Sequence, residues 1–258
     1  MAYSKLDLVG KTAVVVGGSS GIGRTLALGL AEGGADVVSS ARRMDFVSSL
    51  ADEIEATGRR TLRITCDVAD RSSLEKLLKS CLDAFGKVDI LVNAAGITKR
   101  APTVTYPEED WNRILDTNLT GTLRTCQVFG PHMIERKYGR IISIASMGSF
   151  LGLYEVAAYS ASKSGLASLT KSLAIEWAKH NICVNAIAPG YFRTPLSEKL
   201  LVGTGRGREV IMRTPMNRFG ELEELVGAAI FLASDAASFV TGVILPVDGG
   251  VLASGVNQ

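Results

Sequence analysis

The chain has 258 residues, 47% of them hydrophobic, with 28 Lys and Arg against 26 Asp and Glu for a formal net charge of +2. That length and apolar content suit one large core, and so small a charge gives no electrostatic reason to expect nucleic acid or an anionic membrane as a partner. The four cysteines form no CxxC pair, and His132 and His180 lack ligand-like spacing, so neither a disulfide framework nor a metal site is expected.

The N-terminal MAYSKLDLVGK holds no apolar run with a cleavage site, and TAVVVGG is far too short to cross a bilayer. A cytoplasmic protein is expected. In chain order, β-branched runs predict strands at 12–16, 36–40, 61–66, 88–93, 140–146, 182–188 and 241–247. Between them, helical periodicity covers about 21–33, 45–57, 72–85, 108–136 (broken near Thr117), 157–179 and 221–233. Strand–helix alternation implies right-handed crossovers. The expected fold is α/β: a single Rossmann-type doubly wound domain over 1–258, with a seven-stranded parallel sheet and helices on both faces. Residues 191–215 break the rhythm. They read as an irregular segment of the kind that is either a functional lid or disordered, with Gly203, Gly205 and Gly207 fitting mobility.

VVVGGSSGIGR (14–24) links the first strand to the first helix. Gly17, Gly21 and Gly23 let the backbone approach a phosphate whose charge the helix N-terminus favours. The spacing is G-x-x-x-G-x-G, and without its strand–helix setting such a turn could be purely structural. The second strand runs out into SSARRMD with no acid at its tip. An acid there would accept the ribose hydroxyls of NAD, whereas arginine accepts the 2′-phosphate of NADP. Arg42 is the main expected phosphate ligand, with Arg43 or Ser19 helping, unless the two arginines only decorate a solvated loop.

AAYSASKSG (157–165) places Tyr159 and Lys163 four residues apart on one helix face. They could be a core aromatic and a surface charge. They could also be an acid and its tuner. Reducing a ketone leaves an alkoxide that needs a proton, and a tyrosine of ordinary pKa about 10 must be moved by about three units, roughly 4 kcal/mol, to work near neutrality. One cation about 4 Å away, at an effective dielectric near 20, supplies about that much.

GGSSGIG, CDV (66–68), NAAG (93–96), Asn118 in DTNLTG, Ser146 in SIAS, YSASK and APG (188–190) follow one another in order. In that order and spacing the chain resembles the short-chain dehydrogenase/reductases of roughly 250 residues, over nearly its whole length. One departure is Val16, where the family usually has threonine before the first glycine. The resemblance implies NADP(H)-dependent oxidation and reduction of alcohols and ketones. Ser146 would orient the substrate carbonyl, Tyr159 would act as acid and base, and Lys163 would also hold the nicotinamide ribose. Asn118 would hold a water linking Lys163 to solvent. Gly17, Ser19, Ser20, Gly21, Ile22 and Gly23 would cradle the cofactor phosphates. Asp67 and Val68 would contact adenine, Asn93, Ala94 and Gly96 the ribose side, and Ile187, Pro189, Gly190 and Thr194 the carboxamide end.

ITKRAPTVTYPEEDWNRILDTNL and TPMNRFGELEELVGAAIFLASDAASFV are most similar to the gluconate 5-dehydrogenase and 2-dehydro-3-deoxy-D-gluconate dehydrogenase branch, whose members act on sugar acids. The 3-oxoacyl-[acyl-carrier-protein] reductases share most of these motifs, and a broad carbonyl reductase or a non-catalytic NADP-sensing binding protein stays open. Arg100, beside Lys99, is the expected ligand of a substrate carboxylate, or one of a solvated charge pair. Gly148, Ser149 and Tyr154 are expected on the pocket wall. Family members are commonly homotetramers, paired through the helices at 108–136 and 157–179.

Overall fold

The computed structural model describes residues 3–194, 201 and 203–255, so part of the expected lid, 195–200 and 202, lies outside the described residues. The strands are β1 (Thr12–Val16), β2 (Asp36–Ser40), β3 (Ile90–Asn93), β4 (Gly139–Ile144), β5 (Ile182–Pro189) and β6 (Ile244–Val247). The helices are α1 (Gly21–Glu32), α2 (Met44–Ala56), α3 (Arg71–Phe85), α4 (Glu108–Leu115), α5 (Gly121–Arg136), α6 (Ala157–Trp177), α7 (Gly205–Arg213) and α8 (Val226–Ala233). All strand pairs are parallel, in the order β2-β1-β3-β4-β5-β6.

Alternation along each strand sends neighbouring side chains to opposite faces. Val15, Val37, Val92, Ile142 and Ile187 meet Leu26 and Leu30 of α1 and Leu232 of α8 on one side. Val14, Val16, Leu91, Ile141 and Val184 meet Leu74 and Leu77 of α3, Phe129 of α5 and Leu173 of α6 on the other. Covering both faces is why the strands read as unbroken apolar runs. The chain leaves β1 toward β2 and then crosses back to β3, so the order reverses between β1 and β3, and a crevice opens there at the C-terminal strand ends.

Among the described residues the sheet has six strands, not the expected seven. The segment at 61–66 does run beside β2, but its bonding is irregular. Val37 N–H donates to the Arg60 carbonyl at 3.1 Å and Cys66 N–H to the Ala41 carbonyl at 3.1 Å. Between them the Ser40 hydroxyl, rather than main chain, reaches the Ile64 carbonyl at 2.7 Å. No ladder forms, because the contacts between these two points pass through side chains.

Two other segments matter for the site. The break near Thr117 is a turn of π-helix, Asp116–Thr120, closed by Gly121 N–H on the Asp116 carbonyl. Residues 191–215, expected to be irregular, contain α7, whose N-cap Thr204 accepts from Gly207 N–H at 3.0 Å. Gly207 supplies close approach rather than mobility: a Cβ there would lie 2.7 Å from the Leu201 carbonyl carbon. Among the described residues no helix is long and apolar enough to cross a membrane.

Candidate active site

The turn after β1 rests on the chain leaving β3. Gly17 has φ +85°, and a Cβ on it would lie 2.5 Å from Ala95 Cα and 2.7 Å from the Ala94 carbonyl carbon. A Cβ on Gly23 would lie 3.0 Å from Ala94 Cβ. Gly21 differs: its φ is +51°, yet its Cβ position has no atom within 4 Å. The ordering that Val16 does not supply comes from β2, where the Ser40 carbonyl accepts from Gly17 N–H at 2.8 Å and Gly18 N–H at 3.3 Å.

Ser20 caps α1 without a side-chain hydrogen bond, and no acidic residue lies in the first turn. The unpaired N–H groups and positive end of this helix are therefore uncompensated by protein carboxylates. Ser19 is buried, Ile22 partly buried and Ser20 exposed beside them. Arg42, at the exit of β2, is exposed and has no hydrogen-bond or ion-pair partner among the described residues. Arg43 instead lies over the Phe46 ring, 3.7 Å from its centroid. These features fit a phosphate-bearing dinucleotide: open backbone donors, open space at Gly21 and one uncommitted guanidinium.

Several residues expected to touch the cofactor have other partners. Asp67 accepts from Ala69 N–H at 3.0 Å through one carboxylate oxygen. Val68 packs on Gly121, and its carbonyl accepts from Arg124 at 3.3 Å. The Asn93 side chain turns into the core, donating to Ser143 Oγ at 3.2 Å and Cys126 Sγ at 3.6 Å, so it stitches β3 to β4 and α5 instead of lining the crevice. Ile187 is likewise core, fully buried between β4 and β6. Ala94 supports the glycine turn. Pro189 ends β5, Gly190 lets the chain pass Asp248, whose Cα would lie 2.6 Å from its Cβ, and Thr194 is partly buried beyond them.

The catalytic candidates converge at the ends of β4 and α6. Ser146 follows β4, and its Oγ accepts from Gly148 N–H at 3.0 Å. Tyr159 lies in the first turn of α6 and Lys163 one turn later. Lys163 is buried; its Nζ donates to the Ile144 carbonyl at 2.6 Å and stands 5.7 Å from the centre of the Tyr159 ring. Burial pulls its pKa down to about 8. Burial also raises the Tyr159 pKa above its ordinary value, against a hydrogen bond with Ser146 that lowers it. The Lys163 ammonium is aimed at the Ile144 carbonyl.

Asn118 sits fully buried on the π turn. Its side chain accepts from Ile97 N–H at 2.8 Å and donates to the Ile97 carbonyl at 2.9 Å and Ser162 Oγ at 3.0 Å. This clamp holds the loop after β3 against α6, and Gly96 sits beside it: a Cβ there would make ordinary contact with Asn118 Oδ1 at 3.5 Å and Lys163 Nζ at 3.6 Å. Ser162, not singled out in the sequence, also donates to the Tyr159 carbonyl at 2.7 Å. Its signal was its place between the tyrosine and the lysine.

On the open side, a Cβ on Gly148 would press on Leu153 Cδ1 at 3.2 Å and Ser160 Oγ at 3.3 Å, with Ser146 Oγ in ordinary contact at 3.5 Å. Ser149 faces the other way, its hydroxyl donating to the Lys163 carbonyl at 2.7 Å, which makes it a brace for α6 rather than pocket wall. Tyr154 is exposed, 5.7 Å beneath the Arg100 guanidinium. Arg100 is not a free cation: its Nε donates to Glu155 at 2.7 Å. Lys99 pairs with Asp110. Glu155 has φ +61°, unusual for a non-glycine residue, and no sequence pattern announced it. Chemically, a serine and a tyrosine hydroxyl beside a buried lysine can hold a carbonyl oxygen and exchange a proton with it. Among the described residues no cluster of His, Cys, Asp and Glu could hold a metal ion.

Residues 16–252 match a family described as enoyl-(acyl carrier protein) reductase. The chain is 40% identical over 256 residues to the 2-dehydro-3-deoxy-D-gluconate 5-dehydrogenase of Dickeya dadantii, covering 98% of this chain and 100% of the relative. It is 40% identical over 248 residues to the gluconate 5-dehydrogenase of Gluconobacter oxydans, covering 96% and 97%. The crystal structure of a gluconate 5-dehydrogenase from Burkholderia cenocepacia J2315 in complex with NADP and tartrate superposes with a TM-score of 0.93 at 38% identity, covering 98% of this chain and 100% of that one.

Proposed function

The chain belongs to the short-chain dehydrogenase/reductase family, and from there we propose that it is an NADP(H)-dependent oxidoreductase interconverting a sugar acid with its keto form, as in 5-ketogluconate and gluconate. The observation that carries this is the meeting of Ser146, Tyr159 and Lys163 beside a helix N-terminus left open for phosphate. Relatives named for gluconate and its keto derivatives support the substrate class.

In this reading Gly17, Ser19, Ser20, Gly21, Ile22 and Gly23 hold the pyrophosphate, and Arg42 holds the 2′-phosphate. Asp67, Val68, Ala94 and Gly96 line the adenosine side, with Pro189, Gly190 and Thr194 at the nicotinamide end. Bound NADPH supplies the hydride. Ser146 donates a hydrogen bond to the substrate carbonyl oxygen and fixes its orientation. Tyr159 gives its proton to that oxygen as the alcohol forms, and takes it back in oxidation. Lys163 holds the ribose hydroxyls, and its charge stabilises the phenolate left behind. Arg100 receives the substrate carboxylate. The protein works as a cytoplasmic homotetramer paired through α4, α5 and α6.

The test is NADPH oxidation with 5-ketogluconate and an acetoacetyl thioester in parallel. Faster turnover of the keto acid is expected. Faster turnover of the thioester would move the protein to acyl-chain reduction and leave Arg100 as a surface charge.

A further inference from the structure

The loop at 96–102 and the loop at 150–156, which leads into α6, are tied together where Arg100 and Ala101 meet Glu155. Gly96 opens the first loop against Lys163, and four residues on comes Arg100. Near the end of the second loop stands Glu155, four residues before Tyr159. Arg100 Nε donates to Glu155 Oε2 at 2.7 Å, and Ala101 N–H donates to the Glu155 carbonyl at 2.9 Å. Glu155 makes both bonds from a left-handed backbone, φ +61°, a conformation that non-glycine residues seldom adopt. The main-chain bond does not depend on the side chain. The carboxylate is therefore an addition to the latch, and it faces the one arginine expected to read an acid substrate.

Exposure decides who meets whom. The Arg100 side chain is 53% exposed and that of Glu155 only 22%, so a solute reaches the guanidinium with the carboxylate behind it. The terminal nitrogens of Arg100 have no hydrogen-bond partner among the described residues, so its outer edge remains able to receive a second carboxylate. That second anion must either displace Glu155 or settle next to its charge. Both lower the affinity for anions, and neither affects an uncharged carbonyl compound.

We propose that Glu155 is a specificity-determining residue: it is a built-in counter-ion that competes with a substrate carboxylate for Arg100 and sets how strongly the pocket favours acids over neutral ketones. This rests on the sugar-acid reading of the same pocket.

The test is a double-mutant cycle on the full chain saturated with NADP, with tartrate as the anionic probe and calorimetry as the readout. Glu155→Gln keeps the shape and a hydrogen-bonding oxygen while removing the charge. It is expected to bind tartrate about fivefold more tightly, the scale of a partly exposed ion pair. Arg100→Ala is expected to weaken binding, and adding Glu155→Gln to it is expected to restore nothing. Unchanged or weaker binding by Glu155→Gln would overturn the proposal, as would a gain that persists without Arg100 or no measurable binding in any form. The sugar-acid reading fails by a separate result, the absence of 5-ketogluconate turnover in the unaltered protein, and the tartrate cycle stands whichever way that assay falls.

Discussion

The Lys163 ammonium donates to the Ile144 carbonyl, at the end of β4, across 2.6 Å of core, and burial draws its pKa down to about 8. Against an unfolded value near 10.5, keeping this lysine charged at pH 7 costs the fold about 3 kcal/mol. Orphaning the Ile144 carbonyl offsets about 1–2 kcal/mol of any gain from its removal. Lys163→Met is therefore expected to abolish turnover and yet melt at a higher temperature at pH 7. Because the folded pKa is the lower one, the unfolded chain binds more protons between about pH 8 and 10.5, and the unaltered protein gains stability as pH rises through that window. The advantage of the methionine variant should shrink across it. Melting curves at pH 7 and 10 check this, and an advantage equal at both would contradict it.

Tyr159→Phe keeps the ring and removes only the proton donor. Turnover should fall by ~10²–10⁴-fold, with NADPH affinity measured by fluorescence changing by no more than about twofold, since the phosphate end of the site is untouched. Normal turnover would remove Tyr159 from the chemistry. Tight NADP binding by a protein that reduces no carbonyl even when unaltered would favour a cofactor sensor.

The two turn glycines should fail in different ways. Gly17→Ala drives a methyl group into the Ala94–Ala95 backbone at φ +85° and should unfold the turn, lowering the melting point by several degrees with or without NADP. Gly21→Ala meets no atom within 4 Å and carries only the strain of φ +51°, about 1 kcal/mol. It should melt nearly normally but lose most of the stabilisation that NADP gives. Melting curves with and without NADP separate the two, and equal behaviour would mean that Gly21 faces no ligand.

Arg42→Ala should raise the KM for NADPH by about tenfold or more, the loss of one charge-assisted contact, and leave NADH nearly unaffected. Steady-state kinetics with both cofactors measures it. An equal loss with both would reassign Arg42 to general steering of anions.

The buried strands and the helices with clear apolar periodicity were legible because each obeys one local rule: β1 and β2 fall on the TAVVV and DVVSS runs without a shift. What escaped the sequence depended on partners. TLRITC has a strand's composition, but its pairing with β2 passes through the Ser40 and Asp36 side chains, which composition does not encode. The glycines around α7 read as looseness, while Thr204 as N-cap and Arg213 in the last turn were the available helix signals. In the site, YSASK and Ser146 announced the catalytic cluster, but not that Asn93 and Ser149 spend their side chains on bracing. Nor did any pattern announce Glu155, because a left-handed glutamate is fixed by the loop it faces.

The uneven strip at 59–66 also decides how copies of this chain can meet. A bare sheet margin invites any extended chain to extend the ladder. Here the β2 margin is occupied by a neighbour that offers main-chain groups only intermittently, guarded by the Arg60–Asp36 ion pair at 2.8 Å. An incoming strand would have to displace this strip before it could pair with β2. Clumping through strand exchange on this flank would thus first require the strip to peel away.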